Sequence, residues 1–347
     1  MLSMAKSRTL AVLGSSLILT AGFILLAQNY ILVWRFDHAF DTPPSFDAYQ
    51  PAKIAKVSVL YGDSNEFYRG AIQSHQRHAK RHGYPFYILR NPVAEGYWNK
   101  AEYLHSILVQ ELGKHENDRM KWLMWVDADS AIINPQLQLE IFLPPDKFPD
   151  IHILASKDQN GLNTGIFFIR VHPWSVSMLT KTLGYPIFNP DIDLGFSYDQ
   201  TAMGLIFNET KNQPHVLYQP RKWYNTYQFP YGYEGSPGYL LVHFPGLGDR
   251  WNHMASWLQT LSNPQSAAKW EMPFEATHYP SEIEAFWDSL RLNVELIEYA
   301  KNKMKERFED SALSAAIQDL EFATTFETDQ PELMMYARRQ VLDALGS

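Results

Sequence analysis

Two aspartates, Asp127 and Asp129, stand two positions apart directly after the apolar segment Trp122–Val126. That segment is short and made of aliphatic and aromatic residues, which is typical of a buried strand. Because alternate residues of a strand point to the same side, we expect both carboxylates to lie together at the carboxyl end of a sheet, where α/β proteins bind ligands. Carboxylates and diphosphate oxygens are ligands that Mn²⁺ and Mg²⁺ prefer. The sequence therefore favours a divalent metal site here.

A second pair with the same spacing, Asp191 and Asp193, serves as an internal comparison. It follows Asn189-Pro190 and no apolar strand precedes it. We interpret this second pair as part of a solvated loop. The spacing of two aspartates alone is weak support for a metal site, and the preceding strand is what distinguishes Asp127 and Asp129.

Other polar residues begin or end predicted elements, and each has an ordinary structural explanation beside the functional one. His243 ends the apolar run YLLVH at 239–243 and is a candidate third metal ligand, although a single histidine is more often only hydrogen-bonded. Lys100 opens a predicted helix, and a phosphate can bind where a helix begins. Gly165 has no side chain and allows a ligand to come close to the backbone. The candidate substrate-binding residues are Lys100, Asn163, Thr164, Gly165, Gly246 and Arg250. Asp199 and Gln200 stand in the first turn of a predicted helix, where polar side chains also complement the helix dipole.

Three histidines, His75, His78 and His82, recur at helical spacing. No carboxylate pattern accompanies them. We therefore interpret them as one charged helix face and not as a metal site.

The elements that must position these residues alternate between strands and helices. Strands are predicted over residues 53–61, 84–89, 121–126, 151–155, 165–171 and 238–244. Helices are predicted over residues 65–82, 99–112 and 173–183, around Asp199, from about residue 251, and through much of 281–347. This alternation over short loops predicts an α/β domain with a largely parallel sheet.

The composition excludes several classes of protein. Asp and Glu number 38 against 30 Lys and Arg, a net charge of −8, which argues against a nucleic-acid-binding protein because such a protein needs a basic face. The absence of cysteine excludes a disulfide scaffold, a thiolate zinc site and a cysteine nucleophile. Residues 265–347 hold 16 acidic and 8 basic residues, so we predict an acidic helical extension there.

The amino-terminal part has the pattern of a membrane anchor. Residues 9–34 carry no charged side chain, and a helix of that length, about 39 Å, can cross a hydrocarbon core of ~30 Å. A cleaved signal peptide is the alternative, but the apolar stretch exceeds the core length typical of one. Lys6 and Arg8 orient residues 1–8 to the cytoplasm, so residues 35–52 are a predicted stem and 53–264 a predicted lumenal domain.

Five motifs in fixed order resemble glycosyltransferase family 34. They are WNKAEYL at 98–104, WVDAD at 125–129, NTGIFFIR at 163–170, SYDQTAM at 197–203 and HFPGLGDRW at 243–251. The family includes fungal α-1,2-galactosyltransferases and α-1,6-mannosyltransferases and plant xyloglucan xylosyltransferases. The resemblance spans about residues 57–261.

This resemblance implies a GT-A type fold, dependence on Mn²⁺, a nucleotide-sugar donor, a glycan acceptor and retention of the anomeric configuration. Carried over by position, Asp127, Asp129 and His243 are the metal ligands. Asp199 and Gln200 match an Asp-Gln pair near the reacting sugar, which makes them the candidate catalytic residues. The implied location is the Golgi membrane, with a single type II span and the catalytic domain in the lumen.

The chain departs from the family at one position. Plant members carry a lysine shortly after the histidine, thought to help bind the diphosphate, and here Gly248 stands at that spacing. The second phosphate contact is therefore expected from Lys100 or Arg250.

Several functions agree with this pattern. The first is a retaining transferase that moves a hexose, with galactose from UDP-galactose as the first candidate, onto a mannose-rich glycan. The second is a GDP-mannose-dependent α-mannosyltransferase, and the third is a non-catalytic subunit of a Golgi transferase complex. A secreted metal-dependent hydrolase is disfavoured because no second cluster of ligands for a two-metal site is found.

Overall fold

A computed structural model describes residues 54–62, 65–305 and 310–346. Its strands are β1 (Ile54–Val59), β2 (Phe86–Leu89), β3 (Trp122–Val126), β4 (Ser130–Ile132), β5 (Ile153–Asp158), β6 (Gly161–Arg170), β7 (Val216–Tyr218), β8 (Gln228–Phe229), β9 (Gly232–Tyr233) and β10 (Leu241–His243). Six of them form the central sheet in the order β2-β1-β3-β6-β5-β7. The expected α/β class is confirmed.

The helices lie on both sides of this sheet and in the carboxyl-terminal part. In our numbering they are α1 (Glu66–His82), α2 (Trp98–Leu112), α3 (Pro173–Phe188), α4 (Tyr198–Phe207), α5 (Arg250–Ser262), α6 (Pro264–Ala267), α7 (Tyr279–Met304), α8 (Ser311–Phe326) and α9 (Pro331–Leu345). Helix α1 begins where the Asn65 side chain accepts a hydrogen bond from the Phe67 amide, and it ends at Gly83 in a left-handed conformation. Its local sequence thus encodes both of its ends.

The central sheet is mixed, so the expectation of a largely parallel sheet is wrong in part. Strands β1, β2 and β3 are parallel neighbours, but β6 runs antiparallel to both β3 and β5. The reason is the connection between β5 and β6, in which Asp158 pairs directly with Gly161. Two residues suffice for a hairpin and cannot form the crossover that a parallel pair requires.

Strand β3 is buried on both faces, as its apolar sequence predicts. Trp122, Met124 and Val126 belong to one hydrophobic cluster, and Leu123 and Trp125 belong to the cluster on the opposite face. This alternation anchors the strand on both sides. The end of β3, and with it Asp127, therefore has a rigid support.

The predicted strand over 238–244 forms only β10, and it does not join the central sheet. It pairs with β4 in a separate two-stranded sheet, in which Ser130 is opposite His243. Strands β8 and β9 form a second short hairpin. The β4–β10 pair carries residues from distant parts of the chain to the end of β3.

The interpretation of the histidines as a charged face is wrong for two of them. His75 and His78 are fully buried, and their Nδ1 atoms lie 2.7 and 3.4 Å from Nζ of the buried Lys56. Burial, together with the charge of Lys56, lowers the pKa of both histidines well below the ordinary value. Burial likewise lowers the pKa of Lys56. Helix α1 packs against β4, so this face is covered.

The carboxyl-terminal helices belong to the same compact unit as the sheet. Phe286 and Trp287 of α7 lie in the main hydrophobic core, and the Trp223 indole donates a 2.9 Å hydrogen bond to Glu282. Farther along, α7, α8 and α9 share a small hydrophobic cluster of their own. The predicted extension is thus helical, and its first helix contributes to the main core.

The predicted cytoplasmic tail, membrane span and stem, residues 1–52, lie outside the described residues. In the part of the chain that the structure describes, no helix has both the length and the apolar character that a membrane crossing needs. The predicted boundary at residue 264 stays a prediction.

Candidate active site

Asp127, Asp129 and His243 form one cluster, in which a ligand atom from each lies within 4.8 Å of the others. The two aspartates follow β3 in a turn and do not belong to the strand itself. The Asp127 amide donates to the Gly165 carbonyl at 2.8 Å, and the Phe244 amide donates to the Asp129 carbonyl at 3.0 Å. These backbone bonds and the β4–β10 pairing hold the three side chains together.

His243 presents Nε2 to this cluster because its other nitrogen is occupied. The His243 Nδ1 lies 2.7 Å from the Asn225 amide oxygen. The Asn225 nitrogen in turn donates to Ser156 Oγ and Asn163 Oδ1, which fixes the orientation of the amide. Nδ1 must therefore carry the proton, and the Nε2 lone pair is available to a metal.

One pair of ligand atoms has nearly the spacing that a divalent cation imposes. His243 Nε2 lies 3.3 Å from Asp129 Oδ1. An octahedral ion with ligands at about 2.1 Å brings neighbouring ligand atoms to about 3 Å from one another. Two carboxylates with one imidazole are a donor set that is compatible with a divalent metal ion.

The close approach expected at Gly165 is made by the His243 ring. A Cβ atom at residue 165 would lie 2.4 Å from the His243 Cε1. Glycine is therefore required here by a side chain of the protein itself.

Lys100 lies between two groups of side chains. One is the cluster of Asp127, Asp129 and His243, called the metal cluster below because it is the candidate metal site, and the other is the candidate catalytic pair Asp199 and Gln200. Its Nζ lies 3.5 Å from Asp127 and 3.3 Å from Asp199, and it donates to the Thr164 carbonyl at 3.0 Å. Burial raises the pKa of Asp127 above the ordinary value, since the charge of Lys100 offsets burial only in part and Asp129 adds repulsion. The Asp127 side chain is still about 32% exposed, on the side of the cleft, so one of its faces is accessible to a ligand.

The remaining predicted residues line the same cleft. Gln200 accepts a 2.9 Å hydrogen bond from the Thr164 amide, which ties the first turn of α4 to the start of β6. Arg250 Nη1 lies 3.2 Å from Asp129 and donates to the Tyr68 hydroxyl at 2.9 Å. Gly246 has a φ of +60° in the turn before α5.

This cleft has a volume of about 960 Å³. Every predicted site residue contributes to its lining: Lys100, Asp127, Asp129, Asn163, Thr164, Gly165, Asp199, Gln200, His243, Gly246 and Arg250. By contrast, Asp191 and Asp193 are exposed, as expected of the loop pair.

Sequence reasoning missed the buried side chains that hold His243 in place through hydrogen bonds. Asn225 is fully buried. The carboxylate of Asp158 accepts two hydrogen bonds, one from the Tyr227 hydroxyl at 2.9 Å and one from the Asn163 side-chain nitrogen at 3.3 Å. The segment around Asn225 lies between short elements and has no periodic pattern. Only its position in the folded chain reveals the role.

The aspartates, the histidine and the cleft can bind a divalent cation together with an anionic ligand, while the Asp199 carboxylate and the Gln200 amide face the same space. This combination agrees with transfer chemistry on a phosphorylated sugar. It agrees equally with the resemblance in the sequence motifs.

Comparisons with known proteins give the same result. An α-1,2-galactosyltransferase of Schizosaccharomyces pombe is 26% identical over 55% of this chain and 62% of its own length. A probable glycosyltransferase 7 of Oryza sativa subsp. indica is 23% identical over 38% of this chain and 29% of its own. The matched part therefore spans less than two thirds of these relatives.

Two solved structures are similar to this chain, at lower sequence identity. A glycosyltransferase involved in glycosylation of the major capsid of PBCV-1 is 16% identical, with a TM-score of 0.48 over 59% of this chain and 100% of its own. The galactosyltransferase LgtC is 12% identical, with a TM-score of 0.40 over 64% of this chain and 98% of its own.

The sequence profile of the galactosyl transferase GMA12/MNN10 family matches residues 54–151 and 145–250, which include β1, the metal cluster and the start of α5. The mixed sheet, with an Asp-X-Asp turn after a central strand, agrees with the GT-A type fold that the sequence resemblance implies. The chain belongs to the galactosyl transferase GMA12/MNN10 family, glycosyltransferase family 34.

Proposed function

We propose that the protein is a Mn²⁺-dependent retaining galactosyltransferase that uses UDP-galactose and a mannose-rich glycan acceptor. The observation that carries the proposal is the intact cluster of Asp127, Asp129 and His243 in one cleft with Asp199 and Gln200. Galactose is chosen because the fungal relative is named an α-1,2-galactosyltransferase. An inactive subunit would have no need of three ligand atoms within 4.8 Å.

In the proposed reaction the bond between the anomeric carbon and the phosphate oxygen breaks, and the oxygen keeps the electron pair. Mn²⁺ held by Asp127, Asp129 and His243 would stabilise the negative charge that develops on the diphosphate. Arg250 is well placed to add a positive charge beside the metal cluster, 3.2 Å from Asp129. The acceptor hydroxyl oxygen forms the new bond, and its proton passes to the departing phosphate.

Retention then requires attack from the face that the phosphate leaves, or a covalent step on an aspartate. Asp199 is 2% exposed and lies 3.3 Å from Lys100, which restrains it. A restrained, ion-paired carboxylate suits electrostatic support of the positive sugar better than nucleophilic attack. We therefore assign Asp199 and Gln200 to the stabilisation of the reacting sugar and favour attack from the same face.

The decisive experiment is a donor panel with the full chain purified in mild detergent. UDP-galactose, GDP-mannose and UDP-xylose are supplied with Mn²⁺, and hydrolysis is followed without acceptor. Hydrolysis of UDP-galactose alone is expected. Preference for GDP-mannose would identify an α-mannosyltransferase, and inactivity with every donor would support the non-catalytic subunit.

We also propose a single-pass type II protein of the Golgi membrane with a lumenal catalytic domain. The support is the uncharged stretch 9–34, preceded by Lys6 and Arg8. A carboxyl-terminal tag should be protected from protease in intact microsomes and become sensitive after detergent. Digestion without detergent would contradict the orientation, and a soluble shortened product would contradict the anchor. Recovery of other transferases with the tagged chain would support membership of a complex.

A further inference from the structure

One rim of the cleft carries a phenylalanine that is almost fully exposed. Phe196 is 81% exposed, lies three residues before Asp199, and lines the same cleft. A single exposed apolar side chain is ordinary on a protein surface. Phe196 differs from most of the others because it stands at the edge of the polar cleft, where a bound substrate can cover its ring.

The rim around Phe196 is built and held in place. The Phe196 ring meets Tyr97 edge to face at 5.5 Å, and Tyr97 meets Tyr198 in the same way at 5.4 Å. The Tyr198 hydroxyl accepts a 2.5 Å hydrogen bond from the Tyr97 amide. A Cβ atom at Gly96 would lie 1.9 Å from that hydroxyl, so only glycine permits this contact. The ring at 196 thus stands on an ordered support.

The order of strands separates this rim from the expected place of the nucleoside. Parallel strands bind nucleotides at their carboxyl ends, and here that region is the end of β1, where Val59 and Tyr61 line the cleft. Next in the sheet comes β3 with the metal cluster, and then β6, to which Gln200 is bonded through Thr164. A nucleotide-sugar donor that binds with its nucleoside at β1 and its diphosphate at β3 has its sugar near β6, beside Asp199 and Gln200. The rim at Phe196 is then available to the second substrate, the acceptor.

We propose that Phe196 is a stacking platform for a sugar ring of the acceptor glycan, with Tyr97 as its lateral support. This inference rests on the proposed function, because it takes the acceptor to be a mannose-rich glycan. One face of a pyranose presents mainly C–H groups, which cover an aromatic ring well while the hydroxyls stay in water. A flat and exposed ring therefore positions a sugar without burying its polar groups.

The chain offers a matched control in Phe188. It is 80% exposed, only eight positions earlier, at the end of α3, and it does not line the cleft. Phe196→Ala, Phe196→Trp and Phe188→Ala should be compared in the full chain with Mn²⁺, UDP-galactose and α-mannotriose as the probe. Three quantities are measured: the KM for α-mannotriose, the KM and kcat of UDP-galactose hydrolysis without acceptor, and the affinity for α-mannotriose by ligand-observed NMR with Mn²⁺ and UDP.

Phe196→Ala is expected to raise the acceptor KM and weaken α-mannotriose binding about tenfold, while donor hydrolysis changes less than about twofold. Phe196→Trp should stay close to wild type, since it keeps an aromatic face, and Phe188→Ala should match wild type in every measurement. An unchanged acceptor KM in Phe196→Ala would overturn the proposal. So would a higher donor KM with an unchanged acceptor KM, which would place the nucleobase on this ring.

The binding measurement separates this inference from the donor assignment. If the wild type binds α-mannotriose in a manner that depends on Phe196 but hydrolyses no UDP-galactose, the acceptor site is supported and the donor assignment fails. If the wild type hydrolyses UDP-galactose but does not bind α-mannotriose, the donor assignment stands and the proposed platform is overturned.

Discussion

The Asn225 amide oxygen and the His243 Nδ1 lie 2.7 Å apart, although the two residues are 18 positions apart in the chain. This contact decides which nitrogen of His243 faces the aspartates. Both side chains are buried, so water does not compete for the bond. The geometry of the cluster of Asp127, Asp129 and His243 therefore depends on a residue outside it.

We predict that Asn225→Ala weakens Mn²⁺ binding by about ten- to a hundredfold, because the His243 ring loses the partner that orients it. A Mn²⁺ titration of donor hydrolysis measures the effect, and thermal melting checks folding. Activity should recover in part at high Mn²⁺. The exposed Asn117 supplies the control, since Asn117→Ala should leave the titration unchanged. A wild-type Mn²⁺ dependence in Asn225→Ala would show that the contact has no such role.

Replacement of a proposed metal ligand should have a larger effect on activity. Asp129→Asn keeps the size of the side chain but removes its charge, so we expect activity to fall roughly a hundredfold or more. His243→Ala should also weaken Mn²⁺ binding, with partial recovery at high Mn²⁺. The matched controls are Asp191→Asn and Asp193→Asn, which change exposed carboxylates with the same spacing. Equal damage in the controls would mean that the cluster has been assigned to the wrong aspartates.

Gly165→Ala should disturb the same cluster by steric means. The new methyl group would meet the His243 ring at 2.4 Å, so the ring or the start of β6 must move. Overpacking of this kind typically costs about 1–3 kcal/mol of folding stability, and Mn²⁺ affinity should fall with it.

Gly204→Ala is the control for that substitution. In the middle of α4 the new methyl group finds its nearest contact at 3.7 Å, so stability should hold or rise slightly. Urea unfolding of both variants and a Mn²⁺ titration test the pair. Undisturbed Mn²⁺ binding in Gly165→Ala would refute the steric role of the glycine.

The stability of the protein should decrease in mild acid, partly through His152. This side chain is 4% exposed and stacks on His172 and His215 at centroid distances of 4.0 and 4.9 Å. Burial, with the charges of His172, His215 and Arg170, lowers its pKa to about 3. Below pH ~6.5 the unfolded chain binds a proton at this residue that the folded chain does not. Stability is therefore complete above that pH and is lost as the pH falls toward 3.

At pH 5.5 this effect amounts to at most about 1.4 kcal/mol for one histidine. Urea unfolding at pH 7.5 and 5.5 measures the decrease. His152→Phe keeps an aromatic ring in the stack without the titration, and its decrease should be smaller than that of the wild type. His115→Phe changes an exposed histidine and should keep the wild-type decrease. Equal decreases in all three proteins would disprove the assignment to His152.

The sequence by itself determined the α/β class, most of the helices and strands, and the pair of aspartates at the centre of the candidate site. These features depend on contiguous residues: β3 is apolar throughout, and the helices show regular spacing with recognisable ends such as Gly83. Asp127 and Asp129 were recognised because their strand is itself a strong local signal. The aromatic Phe196 gave no such signal, since its exposure is a property of the folded surface.

Only the tertiary structure decided which residues meet. His243 reaches Asp129 because β4 and β10, each three residues long, pair across more than a hundred positions of sequence. Strands this short carry no periodic pattern, and their pairing depends on how the whole chain packs. The same holds for His75, whose burial against Lys56 reversed the interpretation of a charged helix face. Local sequence specifies the direction of an element and its apolar side, whereas long-range packing specifies its neighbour.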